Sequence, residues 1–206
     1  EELIIFGAHH DTVYNSQGAV DNTAGVATVQ EIARQFGLVL EAEGKPEHTI
    51  WFCTWGGEEE GLWGSSEWVQ KHKSNLKENL RIYINLDMNH VDLERNTGIT
   101  IFGNNKKDIT EINNVITEFK KQHSSLYEKY PINVRYIESS EMPNNSDFAP
   151  FLNEIDEIEF GNVVSCYGSG ASEYHTYLDT MDRLNEESLA VSGIIYGSFA
   201  YNLAYN

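Results

Sequence analysis

Basic side chains are scarce in this sequence: Lys and Arg number 14 against 32 Asp and Glu, a formal charge of -18. A nucleic-acid interface needs clustered cations to displace counterions from phosphate, and that footprint is absent. The surplus of carboxylates instead favours cations, divalent metals and positively charged small molecules among them. Cysteine is nearly missing too. Cys53 and Cys166 are the only two and form no C-x-x-C pair, so neither a zinc ribbon nor a disulfide-built scaffold is expected. Their spacing alone leaves a single bridge open, although Cys53 falls in an apolar run where a free thiol packs as a small hydrophobe. No apolar stretch approaches the roughly 18 residues of a membrane span, and no charged-then-apolar leader is seen. Internal repeats, low-complexity tracts and linkers are absent as well.

What is present suffices for one core. With 206 residues, 40% hydrophobic and 12% aromatic, the chain is expected to form one domain over residues 1–206. Glu1 to Ala8 is a continuous apolar run, the pattern of a strand covered on both faces. A polar loop follows. Asp21 to Phe36 then reads as a helix, with Asp-Asn-Thr as its N-cap cluster and Val26, Val29, Ile32, Ala33 and Phe36 at helical spacing. Strands are expected at His48 to Trp55, Leu80 to Leu86, Ile99 to Phe102 and Ile132 to Ile137, with one or two more in Ile158 to Cys166. Between them lie a loop from Glu41 to Glu47, a helix from Leu62 to Lys73, a long amphipathic helix from Asp108 to Tyr130 and a short helix from Ser146 to Leu152. A Gly-rich loop carries Gly168 and Gly170, and a helix capped near Asn185 closes the chain at Leu203. Strand alternating with helix is the rhythm of an α/β fold. The expected class is a three-layer α/β/α sandwich with a central mixed, mostly parallel sheet.

Charge gathers where it is costly. The run Ile50 to Trp55 ends in Gly-Gly and then Glu58, Glu59 and Glu60; side-by-side carboxylates at a strand end repel one another unless a cation lies between them or water reaches them. Alone, this is a solvated acidic turn. Other candidate ligands also sit at or just past strand ends: His9 and Asp11 after the first strand, Asp21 beyond its loop, Asp87 after the third and His175 late in the chain. In open α/β sheets, ligands gather outside the carboxyl ends of strands, so these residues can share one site. Imidazole and carboxylate suit a pair of zinc ions, which needs a bridging carboxylate, terminal ligands on each ion and an unliganded base. Asp11, two residues from His9 on extended backbone, can accept the other ring N–H of His9, with His10 pointing away. Taken singly, each residue has a plainer role: His9 a hydrogen-bonded histidine, Asp21 a helix cap, Asp87 a turn former.

The successive motifs G-A-H-H-D-T, G-A-V-D-N-T-A-G, W-G-G-E-E-E-G-L-W-G-S, N-L-D-M and Y-H-T-Y-L-D-T, in order between residues 4 and 180, resemble those of the M28 family of di-zinc aminopeptidases. The resemblance implies two Zn²⁺ per chain. His9 and Asp87 would bind one, Glu59 and His175 the other, and Asp21 would bridge them. It further implies Glu58 as general base on a metal-bridging water, Tyr174 near the developing oxyanion, peptide substrates with a free N-terminus, and secretion. Two positions depart from the pattern: Phe148 stands where histidine is frequent after Asp147, and Tyr177 where many relatives have proline. The family's catalytic domains usually extend further at the N-terminus, so a fragment, a processed form or a compact variant is expected. Two alternatives stand beside this reading. One is an inactive binding module on the same fold; the other is a glutaminyl-cyclase-like or carboxypeptidase-like enzyme.

Overall fold

Seven consecutive buried residues mark β1 (Leu3–His9) as an interior strand of the sheet, as its unbroken apolar run requires. Parallel neighbours flank it, β2 (Thr49–Trp55) on one side and β3 (Leu80–Asn85) on the other. The computed structural model describes residues 2–91, 98–156, 158–167 and 173–205. Beyond β3 come β6 (Val163–Tyr167), β4 (Ile99–Gly103) and β5 (Ile132–Tyr136), giving the order β2-β1-β3-β6-β4-β5. All pairings are parallel except β4 against β6.

Alternate residues of β1 feed two cores. Ile4, Phe6 and Ala8 pack with residues of α1 (Ala24–Glu43), α3 (Lys106–Gln122) and α6 (Glu186–Tyr205). Leu3 and Ile5 face the other way, towards Val69 and Leu76 of α2 (Trp63–Asn79) and Phe148 and Phe151 of α5 (Phe148–Asn153). The result is the expected three-layer sandwich. Chain order reverses at β1, because β1 leads outward to β2 and β3 then returns to its opposite edge. Ligand sites of open α/β sheets form at such a reversal.

Several boundaries differ from expectation. Asp21 (φ -117°, ψ 85°) and Asn22 (φ -140°, ψ 40°) are non-helical, so α1 starts at Ala24 and Asp21 is not its cap. The helix outlasts Phe36 and stops at Gly44, whose φ of 89° suits glycine. The long helix is two: α3 ends at His123 (φ -133°, ψ 50°) and α4 (Ser124–Lys129) restarts. Asn105 caps α3, accepting from the N–H groups of Lys107 and Asp108, which moves its start to Lys106. Between Ile158 and Cys166 there is one strand, beginning at Val163, and Ile158 is exposed. The loop of Gly168 and Gly170 lies outside the described residues. Cys53 and Cys166 are both free thiols. Among the described residues no helix is long and apolar enough to cross a membrane.

Candidate metal centre

His9 is the last residue of β1 and is buried. Its Nδ1 lies 3.1 Å from the carbonyl oxygen of Asp11, so Nδ1–H donates there and Nε2 faces the cleft. The Asp11 carboxylate was the expected acceptor, but it stands 3.8 Å away. The chain bends past β1 to bring the carbonyl under the ring, and the carboxylate instead accepts the N–H groups of Glu58 and Glu59, both at 3.2 Å. Asp11 therefore anchors the glutamate turn with its side chain and orients His9 with its backbone. His10 is exposed.

Two glycines let that turn form. Gly57 has a φ of 74°, and a Cβ on Gly64 would sit 2.4 Å from the Gly56 carbonyl oxygen, so the first turn of α2 rests directly on Gly56. The Glu58 carbonyl accepts from Gly61 and Leu62, fixing its peptide on both sides. Glu58 and Glu59 are partly buried, and Glu60 is exposed.

Asp21 presents one oxygen to each histidine. Its Oδ1 lies 3.2 Å from His9 Nε2 and its Oδ2 3.3 Å from His175 Nε2. Asp87 Oδ1 adds a contact to His9 Nε2 at 3.4 Å, and Glu59 Oε2 one to His175 Nε2 at 3.0 Å. Three groups of three result among the described residues, His9–Asp21–Asp87, Asp21–Glu59–His175 and His9–Glu58–Glu59, each with ligand atoms within 4.8 Å of one another. Glu58 Oε2 stands 4.0 Å from His9 Nε2. His175 has a φ of 58°, a strained conformation of the kind that clusters at functional sites, and the ring of Tyr174 stacks on it at 3.6 Å. Tyr174 is half exposed, and Phe148 lies in the core edge-on to Phe102. Trp63, the first residue of α2, is 62% exposed.

Buried polar groups behind these residues hold them in place, and most of them carry no signature in the sequence. Asp179, fully buried, accepts the N–H of Val20 at 2.7 Å and of Asp21 at 3.0 Å, so it clamps the turn that carries Asp21. Behind Asp87 runs a directed chain: Trp55 Nε1–H to Tyr83 hydroxyl, Tyr83 to Asn85 Oδ1, Asn85 Nδ2 to Ser146, and Ser146 to Asp87 Oδ2 at 2.7 Å. An indole N–H can only donate, so every proton in the chain points towards Asp87. Asp147 is buried beside it and accepts from Ser65. Cys166 closes the floor, its Sγ 3.3 Å from the Asp87 carbonyl oxygen.

Charge at the centre is unbalanced. Among the described residues, the ion-pair partners of Asp21, Glu58, Glu59 and Asp87 are His9 and His175 alone. Burial pushes Glu58 up to about 8, with His9 opposing and Asp87, Asp147 and Glu59 adding to the shift. Burial and Asp21 push Glu59 up to about 7, and burial pushes Asp147 up to about 7. For His9 burial works downward, but Asp21 and Asp87 prevail and raise it to about 12. These are the shifts of a carboxylate cluster that calls for a cation, whose charge would reverse them. Glu59 Oε1 and Asp87 Oδ1 are buried with no hydrogen-bond donor among the described residues. Imidazole nitrogens, carboxylates and these unpartnered oxygens fit zinc.

Fold and site together define an α/β domain with a candidate two-cation centre at the reversal point of its sheet. Residues 1–199 match peptidase family M28, and the chain belongs to that family. It is similar to the "Probable glutamate carboxypeptidase VP8" of Zea mays, 28% identical over 216 residues that cover 99% of this chain and 29% of that protein. An aminopeptidase of Pseudomonas aeruginosa (strain UCBPP-PA14) is 28% identical over 92% of this chain and 36% of its own length. Among solved structures, an aminopeptidase from Aneurinibacillus sp. strain AM-1 superposes with a TM-score of 0.71 at 25% identity, over 99% of this chain and 44% of that one. The chain thus spans less than half the length of each of these relatives.

Proposed function

We propose that the protein is a zinc aminopeptidase that removes the N-terminal residue of peptides. The observation that carries this is the placement of Asp21, one oxygen against each of two histidines, with Asp87 and Glu59 beside them. His9 and Asp87 would hold one zinc, Glu59 and His175 the other, and Asp21 both. Two ions held there would supply Lewis-acid polarisation of the scissile carbonyl and a lowered pKa for the attacking water. Glu58, whose Oε2 stands 4.0 Å from His9 Nε2, would accept that water's proton and hand it to the leaving amine. The Tyr174 hydroxyl, beside His175, donates to the developing oxyanion. Asp11 acts indirectly, fixing the Glu58–Glu59 turn and the His9 ring.

Names among the relatives include both aminopeptidases and glutamate carboxypeptidases. A free α-ammonium suits this cleft better than a terminal carboxylate, because the charged groups beside the candidate ligands are acidic and neither Lys nor Arg pairs with them among the described residues. The test is metal analysis and release of N-terminal residues from chromogenic aminoacyl and C-terminally blocked peptides, on one preparation. Two zinc ions with N-terminal release supports the proposal. Failure to take up zinc on reconstitution, or cleavage only at a free C-terminus, overturns it.

A further inference from the structure

The residue after the shared carboxylate makes three hydrogen bonds that the proposed chemistry does not use. Asn22 is buried. Its Nδ2 donates to the Leu86 carbonyl at 2.9 Å, and its Oδ1 accepts from the N–H of Met88 at 3.1 Å and of Gly25 at 3.0 Å. Leu86 and Met88 are the two neighbours of Asp87. One amide side chain, attached next to Asp21, therefore grips the backbone on both sides of Asp87 and closes the first turn of α1.

From this geometry we infer that Asn22 is a positioning residue that sets the separation of Asp21 from Asp87, and with it the spacing of the two metal positions. The inference rests on the two-zinc reading above. Only a side chain with a donor and an acceptor at this length can do it. Aspartate keeps the acceptor for Met88 and Gly25 but turns an oxygen on the Leu86 carbonyl, and alanine leaves two N–H groups and one carbonyl without partners. The backbone around Asn22 is shaped to the grip. A Cβ on Gly25 would lie 2.2 Å from the Leu86 carbonyl oxygen and 2.5 Å from Asn22 Oδ1, so glycine is required there. Met88 is held at a φ of 51°, an uncommon conformation for its type that the bond to Asn22 helps maintain. On its other side, Asp179 fixes Val20 and Asp21, so Asp21 is gripped independently towards Asp87 and towards the loop of His175. Two-metal hydrolytic sites hold their ions about 3.5–4 Å apart, and an error of about 1 Å in such a site costs on the order of 10²-fold in rate.

The experiment compares wild type, Asn22→Asp and Asn22→Ala by chelator competition for zinc, by metal–metal distance in the cobalt(II) forms from X-ray absorption, and by kcat and KM. Both variants are expected to keep the metal at Glu59 and His175, to bind the one at His9 and Asp87 about 10–100-fold more weakly, and to lose kcat more than KM. A folded Asn22→Asp protein with wild-type affinity for both metals and the wild-type cobalt–cobalt distance overturns the inference alone. Wild-type protein that takes up fewer than two metals removes the two-zinc reading, and the inference with it. Hydrogen exchange on metal-free wild type keeps the matter decidable if neither variant folds. The Met88 and Gly25 amides are expected to be protected, and exchange of either at the rate of an open chain overturns the inference.

Discussion

Glu58 and Glu59 hang their N–H groups on the same carboxylate, that of Asp11, yet substitution should separate them. Glu58→Gln is expected to retain zinc while turnover falls about 10²–10⁴-fold, the usual worth of general acid–base catalysis; metal content measured beside steady-state rates checks it. Glu59→Gln is expected to lose one metal, a defect that excess zinc in the assay partly reverses. Asp179→Ala strands two buried N–H groups, and at about 1–3 kcal/mol for each the loss of stability should be plain in urea denaturation. The candidate ligands could be picked out by residue type, but each alone had a plainer role, and their assignment as a set came from the ordered motifs that resemble the M28 family. Asn22, Ser146 and the clamp role of Asp179 were not legible. Their partners are backbone groups or other polar side chains far along the chain, 159 positions in the case of Asp179 and Val20, and any polar residue can in principle make such bonds. Asp11 was legible as a support for His9, but which of its oxygens would serve depended on a bend that two-residue alternation does not encode.

At the scale of elements, apolar period and length identified the strands and helices but not all their ends. Asp108 to Tyr130 keeps one amphipathic stripe across a break at His123, where the backbone leaves the helix and a new turn begins at Ser124. The start of α1 was misplaced for a different reason. Asp21 and Asn22 are good capping residues by type, but the Asp21 side chain is committed to His9 and His175, while Asn22 divides its amide between the Gly25 N–H at the helix start and the Asp87 turn. The start of α2 lies close against the turn that follows β2. Gly64→Ala would drive a methyl group into the Gly56 carbonyl, 2.4 Å away, and α2 must back off from the glutamate turn. Overpacking of this kind costs about 1–3 kcal/mol, and here zinc affinity should fall along with the thermal midpoint. A Gly64→Ala protein that melts lower but binds zinc normally would show that α2 does not set the position of Glu58 and Glu59.

For the molecule as a whole, the acidic centre makes stability depend on pH in opposite ways with and without metal. Glu58, Glu59, Asp147 and His9 all hold protons more tightly than usual, at about 8, 7, 7 and 12. A group whose folded pKa is raised stabilises the fold at low pH and loses that contribution as pH climbs through the raised value. Metal-free protein is therefore expected to melt at lower temperature at pH 8 than at pH 5.5. Zinc requires deprotonated ligands, so the rise in melting temperature on adding zinc should be larger at pH 8. Calorimetry on chelator-treated and reloaded samples checks both, and a metal-free midpoint that rises with pH in this range contradicts the assignment. The buried thiol under Asp87 offers a further use. Cys166 is sealed against the Asp87 carbonyl with Tyr196 at its side, whereas Cys53 is partly accessible. A thiol reagent can reach Cys166 only when the packing around it opens, so its labelling rate is a clock for that opening. Cys53 supplies the reference rate, and filling the metal centre should slow the clock.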